Sequence, residues 1–106
     1  MIRVKVFSNS DGKISGFTVT GHSDTAARGE DIVCAGVSSL AQAALLGLGE
    51  YLHREMDYSV ASGKLSMQLK EAPDELTESI LETMLLGLIE IQKLSPEAVQ
   101  ILDERR

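Results

Sequence analysis

The chain has 106 residues, 43% hydrophobic and 25% charged, which is room for one hydrophobic core, so a single domain over residues 1–106 is expected and a disordered or low-complexity chain is excluded. A formal net charge of -6 argues against nucleic acid as a partner, because phosphate binding needs clustered lysine and arginine. The longest apolar stretches, around residues 43–49 and 84–89, are shorter than the roughly 18 residues of a membrane span, and residues 1–7 lack the apolar run of a signal peptide; with a single cysteine, a soluble protein of the reducing cytoplasm is expected.

Ile2, Val4 and Val6 alternate with Arg3, Lys5 and Phe7, the period of a half-buried strand. Asn9, Ser10, Asp11 and Gly12 supply turn chemistry before residues 14–20 resume a strand pattern, so the chain opens with a β-hairpin. Residues 21–30 are small or polar and include Gly21 and Gly29; without apolar periodicity they are expected to form a mobile loop. Asp31 is suited to cap a helix whose apolar positions Val33, Val37, Leu40, Ala44 and Leu48 recur every three and four residues, to about residue 52. Gly36, Gly47 and Gly49 each weaken such a helix by about 1 kcal/mol relative to alanine, which points to close packing against another element, a dimer partner being one candidate.

Residues 58–61 and 64–70, joined through Ser62 and Gly63, read as a second hairpin. Pro73 and Asp74 open a second helix with Leu76, Ile80, Met84, Leu88 and Ile91 on one face, ending near residue 94 ahead of Ser95 and Pro96. Val99 and Ile101 alternate in the tail as a fifth strand, with a short helix after Pro96 as the alternative. The order ββαββα(β), without a residue-level repeat between its halves, predicts an α/β (α+β) two-layer sandwich: a mixed sheet with two helices on one face.

With Asp31 as cap, Cys34 falls in the first helical turn, where open backbone N–H groups and the helix dipole favour an anionic sulfur. The same N–H groups, around residues 32–35, are candidate oxyanion donors. His22 stands at the end of the second strand, within loop reach of that helix start, and a nucleophilic cysteine needs such a base. Taken singly, Cys34 also fits a small core residue and His22 a surface histidine; the pair points to nucleophile and base. Asp31 either orients His22 or caps the helix, with the cap favoured. Ser38, one turn beyond Cys34, either supports the site or bonds back to the helix backbone. His53, late in the helix, suits the dipole. One cysteine and two histidines show no metal-ligand spacing, and no phosphate-binding loop is present, so no metal and no cofactor is expected.

The run Gly21, His22, Ser23, then Gly29, Glu30, Asp31, Ile32, Val33, Cys34, Ala35, Gly36, Val37, Ser38, Ser39, Leu40 resembles the bacterial ribosomal-processing cysteine proteases of the Prp family. Length and element order match over essentially the whole chain. It differs from the family's usual pattern at Gly36, where alanine is common, and at Thr25, in place of a frequent aromatic. The resemblance implies a His22–Cys34 dyad and a mobile loop over the site. It also implies a homodimer and, as substrate, the short N-terminal extension of the twenty-seventh large-subunit ribosomal protein. An acidic enzyme suits a basic ribosomal protein electrostatically. The rival readings are a non-catalytic binding module for ribosomal proteins and a redox sensor, the latter without a resolving cysteine in the chain.

Overall fold

The computed structural model of the chain describes residues 1–22 and 28–105, with the backbone alone for residues 28–31. The alternating N-terminal segment is β1 (Ile2–Ser8), which buries Ile2, Val4 and Val6 and exposes Arg3 and Lys5. The Asn9 side chain closes the turn to β2 (Ile14–Thr20) by accepting from the N–H groups of Asp11 and Lys13 at 3.1 and 2.9 Å. After the first helix come β3 (Met56–Ala61) and β4 (Lys64–Leu69), and the tail is a strand, β5 (Val99–Asp103). The sheet order is β3-β4-β2-β1-β5, with β5 parallel to β1 and every other pair antiparallel. This is the expected mixed sheet.

Cross-strand partners explain the core. Val6 faces Phe17, Phe17 faces Met67, and Val19 lies between Val4 and Leu65; these side chains share one face of the sheet. The helices α1 (Arg28–Leu46) and α2 (Glu75–Leu94) cover that face and complete one continuous core.

Three expectations change. First, α1 begins three residues before Asp31, so Asp31 lies in its first turn instead of capping it, and Cys34 lies in the second turn. An acidic residue in a first turn complements the helix dipole as a cap does, which is why the two placements read alike. The loop expected over residues 21–30 therefore ends before Arg28; its mobility, Ser23 and Thr25 lie outside the described residues. Second, Gly47–Tyr51 forms a π-helical turn, and His53 lies beyond it, exposed at φ 55°, so it does not occupy the helix end. Third, the face of α2 is rotated. Asp74 accepts from Leu76 N–H and Thr77 N–H, and Thr77 Oγ1 accepts from Asp74 N–H, a reciprocal cap that buries Thr77 and leaves Leu76 exposed. The buried stripe is Thr77, Leu81, Met84, Leu85 and Leu88.

The glycines of the first helical segment do mark close packing, and the partners are within the chain. A Cβ on Gly36 would stand 3.2 Å from Ile91, and one on Gly47 would stand 3.1 Å from Ile80, both on α2. Ile32–Tyr51 has the length and apolar character of a membrane span, with a mean hydropathy of 1.8, contrary to the reading from the longest apolar stretches. In this fold that segment is the core helix, with Val37, Ala41, Ala44 and Leu48 buried.

Candidate active site

The pairing of β2 with β4 runs to Thr20 opposite Lys64. One step further, Gly21 N–H donates to Gly63 O at 2.9 Å, tying the end of β2 to the β3–β4 turn. Gly21 has φ 90°, and a Cβ there would lie 2.2 Å from the Met1 carbonyl oxygen. Only glycine combines that backbone angle with that approach. The bend places His22 beside the second hairpin: the His22 carbonyl accepts from the Met1 ammonium at 2.6 Å, and its ring lies against Gly63. His22 is exposed and Cys34 half-buried.

α1 crosses the sheet so that Cys34, Val37, Ser38, Ala41 and Gln42, spaced at three, four, seven and eight residues, share one face. That face forms one wall of a cleft of about 240 Å³, and His22, Gly63 and Lys64 border it across from the helix. Ile2, Val19 and Leu65 of the sheet contribute its apolar lining. Gly21, His22, Cys34 and Ser38 all line this one cleft. Of Asp31 the backbone is described, and it lies in the first turn of α1.

Two chemical expectations are altered. A helix starting at Arg28 takes the N–H groups of residues 32–35 into its own i to i−4 ladder, so they are not open oxyanion donors in this arrangement. The dipole's effect also fades beyond the first turn, which lessens its hold on Cys34. Cys34 also packs against the core on one side while lining the cleft on the other, so the core and site readings are not exclusive.

Ser38 Oγ accepts from Gln42 Nε2 at 2.8 Å, a side-chain bond between two cleft residues. Gln42, Gly63 and Lys64 do not stand out as site residues in the sequence. Gln42 was recoverable, because eight residues after Cys34 is the same helical face. Gly63 was not, because its place depends on the pairing of β2 with β4.

The model of one protein family, cysteine protease Prp, matches residues 1–100. The ribosomal processing cysteine protease Prp of Staphylococcus aureus is 29% identical over 104 residues, covering 95% of this chain and 97% of the relative. The crystal structure of an essential ribosomal processing protease Prp from S. aureus, in complex with a covalently linked product peptide, has a TM-score of 0.87 at 25% identity, covering 98% of this chain and 100% of that chain. A crystal structure of a Streptococcus mutans protein has a TM-score of 0.81 at 26% identity, covering 97% of this chain and 93% of that one.

Proposed function

The chain belongs to the Prp family of cysteine proteases, and on that footing we propose that Cys34 is its nucleophile and His22 its general base and acid. One observation carries this assignment: the end of β2 and the second turn of α1 deliver an imidazole and the chain's one thiol to the same cleft. A cysteine with a histidine in hydrogen-bond reach is the minimal pair for acyl transfer through a covalent intermediate.

In the proposed cycle His22 takes the Cys34 proton and the sulfur attacks the scissile carbonyl. His22 then protonates the leaving amine, which departs and leaves a thioester on Cys34. Water, deprotonated by His22, attacks the thioester, and the released thiolate recovers its proton. No cofactor takes part. Gly21 supports His22 by bending the chain, Ser38 and Gln42 shape the wall beside Cys34, and Asp31 serves the start of α1.

The substrate is proposed to be the N-terminal extension of the twenty-seventh large-subunit ribosomal protein, cleaved in the cytoplasm. The S. aureus relative's ribosomal-processing role supports this reading, as does the net charge of -6, which favours encounter with a basic protein. The enzyme is proposed to work as a homodimer. Leu46, Tyr58 and Val60 are exposed and line one groove beside the edge strand β3, an apolar surface of the kind that a second copy covers. Incubation with a peptide spanning the extension and its junction tests the assignment. Wild type cleaves it, Cys34→Ala does not, and His22→Ala retains a residual rate about 100- to 10,000-fold lower; equal cleavage by all three removes the dyad.

A further inference from the structure

The turn joining β3 to β4 does more than reverse the chain. A Cβ on Gly63 would lie 2.5 Å from His22 Nε2, 3.0 Å from Cε1 and 3.2 Å from Cδ2. Three ring atoms thus close on the one point that any side chain at this position would fill. The Gly63 carbonyl meanwhile accepts from Gly21 N–H, so the surface under the ring is tied to the residue before the histidine. We propose that Gly63 is a positioning residue whose bare Cα seats the His22 imidazole at the cleft. The proposal rests on His22 being the base.

An exposed histidine on an irregular segment has several rotamers open to it. Contact with the turn restricts those rotamers to the ones that keep the ring against Gly63 at the border of the cleft, and a near-attack geometry depends on such restriction. A side chain at 63 pushes the ring off its seat, because an exposed ring yields more readily than paired backbone.

The competing explanation is that glycine serves only the backbone angle, since Gly63 has φ 72°. The first hairpin supplies the control. Gly12 has φ 79°, and a Cβ there would meet nothing within 4 Å, so Gly12→Ala introduces the same strain with no ring to displace. Gly63→Asn gives a second comparison, because asparagine tolerates the left-handed region yet carries a Cβ.

The experiment measures kcat, KM and thermal midpoint on the extension peptide for wild type, Gly12→Ala, Gly63→Ala, Gly63→Asn, His22→Ala and the double variant Gly63→Asn with His22→Ala. A displacement of about 1 Å costs on the order of 100-fold. Both Gly63 variants are therefore expected to lose about that factor in kcat/KM, carried by kcat. Gly12→Ala keeps its kcat/KM within about twofold, and Gly63→Asn adds no further loss to His22→Ala, as coupled residues require. Wild-type kcat in folded Gly63→Asn, or equal losses in Gly12→Ala and Gly63→Ala, overturns the seat. Undiminished cleavage by His22→Ala overturns instead the assignment of the base, so the two failures are distinct.

Discussion

Val37 joins the cleft to the core, and Val37→Ala measures how firmly α1 is held there. The side chain is 1% exposed although it lines the cleft, so it packs on the sheet while closing the site from within. Truncation removes two buried carbons, about 1.6 kcal/mol at roughly 0.8 kcal/mol each. A sealed cavity would add to this, but the cleft lies alongside and water can enter, so the cost should stay near 2 kcal/mol. At about 4–8 °C per kcal/mol for a chain of this size, the thermal midpoint should fall by roughly 8–16 °C. Urea unfolding monitored by circular dichroism reads the difference directly, with an unchanged slope showing that both proteins unfold over the same surface. A loss below about 0.5 kcal/mol, the scale of an exposed site, would refute the packing of α1 described above.

Three further outcomes follow from other parts of the molecule. Arg105 meets Asp103 and Glu78 at 3.0 Å and also reaches Glu82, and the Asp103 side chain is 3% exposed; Arg105→Met should cost about 3 kcal/mol, the low end for a broken buried pair, measured by urea unfolding. The Asp103 hydrogen bonds raise Arg105 above its usual pKa, so its contribution is present at every pH below the ordinary arginine range and the deficit should be equal at pH 6 and pH 9. Asp74 is held below the ordinary aspartate range, first by the Thr77 N–H and then by the Arg54 side chain. Its stabilisation is present above the unfolded carboxyl's pKa and lost as pH falls through the depressed folded value, so between pH 5 and pH 3 the thermal midpoint of wild type should fall further than that of Asp74→Asn. If encounter with a basic substrate is steered by the net charge of -6, kcat/KM should fall with added salt while kcat holds.

The strands were legible because β1 and β4 bury alternate residues on a single face, and tertiary packing preserves that period. The start of α1 was not, because no large apolar residue precedes Ile32 in the segment from residue 21 and an aspartate serves a cap or a first turn equally. The face of α2 misled for a different reason. Leucine at 76 outranked threonine at 77 on hydrophobicity, yet the Thr77 hydroxyl is satisfied by Asp74 and can be buried at little cost. In the site, the histidine and the cysteine were visible through their own chemistry and through the motif around them. The surface under the histidine was not, since Gly63 meets His22 only through a pairing of strands distant in sequence.

The most direct measurement is the mass of the protein quenched in acid during turnover of the extension peptide, followed by mapping of any adduct. The account predicts a thioester between the peptide's N-terminal fragment and Cys34, formed by wild type and absent from Cys34→Ala. Steady turnover by Cys34→Ala, or an acyl group mapped to any other residue, would contradict it.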